Sequence, residues 1–358
     1  WGPTDDGRIK PDLVAAGVNL FSTSTNNAYT TLSGTSMATP NTTGSLALLQ
    51  ELYKKRNGTY LSAASLKALA IHTVKEAGSS PGPDYRFGWG LLDVNAAANL
   101  ILAENGTSTD IREYTLSNGG EIDFQIYPKP NTKVKITIVW ADVPGTPTAL
   151  ALDPANNMLV NDLDLRIKDD DGETVFPWIL SMANFDAPAT RGDNNKDNVE
   201  KIEFDNPLLR PYTVTVNHKN NLVNNSQKFS MIIEYTPFVG NGNAYYWVGG
   251  SGNWDDPSHW SLQSGGSSAN TVPGKDDRVF FDSNSFPNNS SIISLAQPQE
   301  VYAFSWLSNK NATLDGNGHS LSVGTNYFLI NDKLSFSEEI EIRLTGEDPV
   351  SNTIDLSN

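Results

Sequence analysis

Chemistry in this chain starts from Leu32-Ser33-Gly34-Thr35-Ser36-Met37-Ala38-Thr39-Pro40, a run of small residues that leads straight into a helical pattern. Leu46, Leu49, Leu52 and Tyr53 recur at helical spacing after Pro40, a residue suited to a first helical turn. Ser36 therefore falls at a helix N-terminus. Free N–H groups and the positive end of the helix dipole would there stabilise an alkoxide or a developing oxyanion. Gly34 gives an approaching backbone room, Lys54, Lys55 and Arg56 complement the negative end, and Asn57-Gly58 offers a left-handed stop. Ser36 is the candidate nucleophile. Ser33, Thr35 or Ser36 could equally serve as the N-cap of an ordinary helix.

The longer string decides between these readings. Residues 34–40 resemble the nucleophile segment of the subtilisin-like serine proteases, the subtilases. Gly2-Pro3-Thr4-Asp5-Asp6-Gly7-Arg8-Ile9-Lys10-Pro11-Asp12-Leu13-Val14-Ala15-Ala16-Gly17 is similar to the family's preceding segment. Tyr85-Arg86-Phe87-Gly88-Trp89-Gly90-Leu91-Leu92-Asp93-Val94 is similar to the segment that closes the catalytic domain. Ala16 stands where proline is usual and Asn41 where histidine is commonest; neither position carries proton transfer. The resemblance covers residues 1–104 and implies peptide hydrolysis through an acyl-enzyme on Ser36. It also implies that Leu32, Ser33, Gly34 and Thr35 line the substrate cleft.

An α/β-hydrolase elbow is the weaker rival, since this G-x-S-x-A lacks the second glycine and the downstream His72, His218, His259 and His319 have no motif around them. In subtilases the chain order is Asp, His, Ser, so the base and its orienting carboxylate are expected upstream of Ser36, where no histidine occurs. A serine without a base is a poor nucleophile, and the upstream half of the catalytic domain is therefore an expected partner. His72 reads as a packed, hydrogen-bonded side chain. Apolar stripes such as Leu46/Leu49/Leu52 and Leu66/Leu69 are expected to need that upstream half as a covering surface.

The 358 residues, 38% hydrophobic with net charge −16 and no cysteine, suit several acidic domains without disulfides or thiolate metal sites. A nucleic-acid backbone is a poor partner for such a surface, and no apolar run is long enough to span a membrane. The expected fold is multidomain. Residues 1–106 read as α/β, a partial parallel sheet with residues 13–16 as a short strand and helices after Pro40, over 62–76 and over 94–104. Residues 107–237 read as an all-β jelly-roll sandwich, 238–244 as a linker, and 245–358 as an incomplete all-β solenoid-like module.

Residues 134–140, 162–167, 212–216 and 229–233 alternate as strands. Trp140-Ala141-Asp142, Asn161-Asp162-Leu163-Asp164-Leu165 and Asp197-Asn198-Val199-Glu200 resemble the jelly-roll domain that follows one branch of alkaline subtilases. Related domains bind calcium, and Asp162, Asp164, Asp193 and Asp197 are the candidate oxygen ligands. Trp247-Val248-Gly249-Gly250-Ser251-Gly252-Asn253-Trp254 is similar to a motif of large Bacteroidetes surface proteins, and residues 313–323 resemble one β-solenoid rung. The expected function is a secreted or surface-attached serine endopeptidase. The alternative is a surface adhesion or filament protein that keeps an idle subtilase fold.

Overall fold

The computed structural model describes residues 1–169, 172–238, 242–324, 328–337, 339–345 and the backbone of 352–354. Part of the expected 238–244 linker and parts of the C-terminal module thus lie outside the described residues. The described chain is mostly β with three α-helices, and its several sheets form a mixed, multidomain arrangement.

The first region opens with an antiparallel hairpin, β1 (Leu20–Ser24) and β2 (Ala28–Leu32), in register from Leu20↔Leu32 to Ser24↔Ala28. Asn26 and Asn27 make its turn at φ 57°, a left-handed geometry that asparagine tolerates. Helix α1 (Thr35–Asn57) follows, ending where Gly58 adopts φ 77° and donates to Lys54 O at 2.9 Å. Helix α2 (Ala63–His72) is capped by Ser62, which accepts from Ser65 N at 3.1 Å, and α3 (Val94–Ala103) by Asp93, which accepts from Ala96 N at 2.9 Å.

The structure corrects three expectations here. No parallel sheet forms among the described residues of this region: Val14 makes a single parallel bridge to Leu91, and the one two-stranded ladder is the antiparallel hairpin. A strand needs a neighbour along its length, and residues 13–16 meet only that one position. Pro40 lies inside α1 rather than in its first turn, because the helix begins five residues earlier. Helix α2 stops at His72, four residues short of the expected end, since Lys75 pairs with Leu91 through N–H···O bonds of 2.8 and 2.9 Å.

The middle region is a sandwich of two four-stranded antiparallel sheets. One takes β3 (Thr109–Ser117), β5 (Lys133–Trp140), β10 (Val199–Asp205) and β12 (Ser226–Tyr235) in the order β10-β5-β12-β3. The other takes β4 (Ile122–Ile126), β6 (Leu163–Asp169), β7 (Thr174–Val175) and β11 (Tyr212–His218) in the order β4-β11-β6-β7. A small pair, β8 (Trp178–Ile179) with β9 (Thr190–Arg191), lies outside both. The core between the sheets is supplied by alternate residues such as Ile136, Ile138 and Trp140 on one side and Leu163, Leu165 and Ile167 on the other.

The outer face of the β10-β5-β12-β3 sheet is covered by the first region. Ala68, Leu69, Ile71, Trp89, Ala97 and Ile101 share one core with Ile111, Val139, Val199 and Ile232 of the sandwich. Leu66 and Leu69 are therefore covered by this sheet and α3, and Leu46, Leu49 and Leu52 join the same core, so these stripes find their partners inside the chain.

In the C-terminal region successive strands pair in parallel along three ladders: Ala244↔Arg278↔Ala303, Ser291↔Ala312↔Leu334 and Gln299↔Leu321↔Ile342. Trp247, Trp254, Trp260, Trp306 and Phe281 fill the space between them and are fully buried. These indoles are core.

Candidate active site

Two of the three sequence motifs are stitched to each other, and the third hangs from them. Gly2 N donates to Tyr85 O at 2.8 Å, Tyr85 Oη to Gly7 O at 2.9 Å, Trp89 N to Asp12 O at 2.9 Å, and Val14 N to Gly90 O at 3.0 Å. This pairing carries residue 17 to its position, where Gly17 O accepts from Gly34 N at 2.7 Å. The start of α1 is thereby fixed relative to the closing motif.

Gly34 itself is the cap of α1 at φ 154°, a backbone region that side chains avoid. It delivers Thr35 and Ser36 as the first two helical residues. Their N–H groups precede any intrahelical acceptor and stay free for an incoming oxygen. Pro40, four residues on, has no N–H to give to the Ser36 carbonyl, so that carbonyl lacks its usual helical donor. Threonine hydroxyls bond back to the helix nearby: Thr39 Oγ1 donates to Thr35 O at 3.0 Å and Thr43 Oγ1 to Thr39 O at 3.0 Å.

Ser36 is exposed and opens on a groove of about 430 Å³ lined by Leu20, Phe21, Leu32, Met37 and Pro40 among others. Of the expected cleft residues, Leu32 lines the groove at the end of β2. Ser33 turns to Asn19, accepting from its N–H at 2.8 Å, while Gly34 and Thr35 shape the turn. The hairpin that forms the other wall was missed in the sequence; the paired asparagines at its turn were the available signal.

No carboxylate or imidazole is among the groove's lining residues. His72 lies elsewhere, fully buried between α2 and the sandwich, with Nδ1 2.9 Å from Thr137 Oγ1 and Nε2 3.3 Å from Glu234 Oε2. Burial pushes its pKa down to about 4 against the opposing pull of Glu234.

The four candidate metal ligands do not form one group. Asp162, Asp164 and Asp193 surround the Lys219 ammonium, at 3.3, 3.0 and 2.7 Å. The Arg166 guanidinium bonds Asp164 at 2.6 Å and also reaches Asp193. Asp197 is apart: its Oδ1 accepts from Ile9 N at 2.8 Å and ties the first region to the sandwich, and burial raises its pKa to about 6. Among the described residues no three His, Asp or Glu side chains are disposed to hold a metal ion.

Comparison with known proteins bears on the first region. Residues 1–90 match the model of the subtilase family. Proteins similar to part of this chain include the PII-type proteinase of Lacticaseibacillus paracasei and the PI-type proteinase of Lactococcus lactis subsp. cremoris. Each is 36% identical over an alignment of 138 positions that covers 32% of this chain and 7% of the relative. The C5a peptidase of Streptococcus pyogenes is 50% identical over 54 residues, 15% of this chain and 5% of that protein. The chain thus spans a small part of the length of the curated relatives it matches. These likenesses support a serine protease family, the subtilases, for the segment that holds Ser36. No helix of the described residues is long and apolar enough to cross a membrane.

Proposed function

We propose that this chain carries the nucleophile-bearing part of a subtilisin-like serine endopeptidase, secreted or attached to a cell surface. The observation that carries the reading is Ser36 itself, held by Gly34 at the first turn of α1 beside an open groove, inside the stretch that matches the subtilases. In this reading Ser36 Oγ attacks the scissile carbonyl and its proton passes to a histidine outside this sequence. The carbonyl oxygen takes up the charge facing the free N–H groups at the helix start, the histidine passes the proton to the amine as the C–N bond breaks, and water then releases the acyl group as the carboxylic acid.

An upstream segment bearing the base is the proposed partner. Its proposed seat is the apolar surface around the groove, where Phe21 and Tyr29 stack on each other at 5.5 Å while 71% and 64% exposed. The sandwich as a jelly roll, the C-terminal ladders as a solenoid stalk, and calcium at Asp162, Asp164 and Asp193, where it would have to displace the Lys219 ammonium, belong to the same proposal.

A fluorophosphonate tests it. With the upstream segment supplied, mass spectrometry should find the adduct on Ser36, and with this chain alone none. Adduct on the isolated chain would refute the two-part site, and no adduct in the combined protein would favour an adhesion or filament protein with an idle fold.

A further inference from the structure

A second cavity, of about 280 Å³, lies in the seam between the first region and the sandwich and shares no lining residue with the groove at Ser36. Its floor is the outer face of β5 and β10. Lys133 and Lys135 are two apart on one strand, Lys201 and Glu203 two apart on the other, so all four point the same way, and Lys135 lies directly opposite Glu203. Its roof is the chain after α2, through Val74, Glu76, Pro81, Gly82 and Pro83, with Trp89 and Trp178 completing the walls. Gly82 is required there, because a Cβ at φ 89° would come within 2.9 Å of the Trp178 ring.

The polar inventory of this cavity is uneven. Glu76 is occupied by the N–H groups of Ala77, Gly78 and Gly82. Glu203 Oε1 accepts from Trp178 Nε1 at 3.3 Å, and Lys135 is paired with Glu234 at 2.8 Å. His72, beyond Thr137, is neutral at ordinary pH. Lys201 remains with two long contacts, 3.5 Å to Ile71 O and 3.6 Å to Glu203 Oε2, although its side chain is only 6% exposed. Ammonium–oxygen bonds ordinarily close to about 2.8 Å, so three buried donors share two weak acceptors. Burial pushes the Lys201 pKa down to about 8 even with Glu203 nearby. The Arg191 guanidinium adds positive charge behind Trp178, 3.3 Å from the ring centre.

We propose that this cavity is a binding site for a small organic carboxylate. Its anionic end meets the Lys201 ammonium, with Lys133 and Lys135 beside it, and its apolar body lies along Val74, Pro81, Pro83 and Trp89. The carboxylate supplies the short acceptor that Lys201 lacks. It also bridges the two regions, because the amine belongs to the sandwich and the apolar wall mostly to the first region. The inference does not depend on the fate of Ser36.

Benzoate and its neutral isostere benzamide test the site by calorimetric titration of the full chain. Benzoate should bind at pH 7 and benzamide should not, and Lys201→Met should weaken benzoate at least tenfold while circular dichroism shows the fold retained. Wild-type protein gives a second reading without a variant. Benzoate affinity should fall about tenfold between pH 7 and pH 9.5 as the ammonium is lost. Equal binding of the two compounds, no binding of benzoate, undiminished affinity in a folded Lys201→Met variant, or affinity unchanged across that pH range would each overturn the proposal.

Discussion

His72 Nδ1 lies 2.9 Å from Thr137 Oγ1, so the histidine of the first region is a member of the seam with the sandwich and not of the groove at Ser36. Burial favours the neutral imidazole there, and the ammonium groups of Lys135 and Lys201 add to that push against the opposing pull of Glu234. The same contact therefore couples the docking of the two regions to pH.

The first prediction follows from the sign of that coupling. The folded-state pKa of His72 is about 4, below its ordinary value of 6.5, so the unfolded chain binds more protons between those values. Stability is complete above pH 6.5 and is lost as the pH falls toward 4, by about 3 kcal/mol at the limit. Asp197, raised to about 6, works in the opposite direction, favouring the fold as the pH falls below 6. His72→Gln should therefore lose less stability on acidification than the wild type. Urea melts of both proteins at pH 7 and pH 4.5 measure the difference, and parallel losses in the two would refute it.

Ser36 is exposed and at the N-terminal turn, so Ser36→Ala should shift stability by no more than about 0.5 kcal/mol. It should abolish fluorophosphonate labelling in the combined protein. Retained labelling would point to another nucleophile.

Gly34→Ala should cost about 1 to 3 kcal/mol at φ 154°, with the damage confined to the start of α1. Gly58→Ala, at the other end and at φ 77°, should cost about 1 kcal/mol. Chemical denaturation of both variants ranks them, and the opposite order would contradict the strained-cap reading.

Lys219 holds three carboxylates together, and Lys219→Met leaves them facing one another across the site it vacates. Arg166 still pairs with Asp164 and Asp193, and Lys219 is partly exposed, so a loss of about 1 kcal/mol is expected. Calcium should restore part of it by taking the ammonium's place, raising the melting temperature of the variant more than that of the wild type. A variant indifferent to both calcium and chelator would remove these aspartates from metal chemistry.

The first ten residues of α1 include no buried side chain, whereas α2 lies against β5 and β12 with Ala68, Leu69 and Ile71 buried. Hydrogen exchange should therefore be fast in the Ser36 turn and slow in α2 and the central strands. Addition of the proposed upstream segment should slow exchange at α1 and the hairpin alone.

What the sequence determined by itself was local. Gly34-Thr35-Ser36 and Gly58 set the ends of α1, Ser62 and Asp93 capped the next two helices, and alternation located β5, β6, β11 and β12, because caps and periodicity act over a few residues. The subtilase motifs likewise stood in the string as short runs. Only the tertiary structure decided what each face met. Residues 13–16 lost their expected sheet for want of a neighbour, and the Leu66/Leu69 stripe found its cover on the sandwich, more than a hundred residues away in part. Asp197 left the other three aspartates for Ile9 N because the sandwich edge, not the spacing of acids, brings that amide to it. Lys201 became a buried amine for the same reason: a strand pattern fixes which way it points, but only the docking of residues 74–91 onto that face removes the water around it.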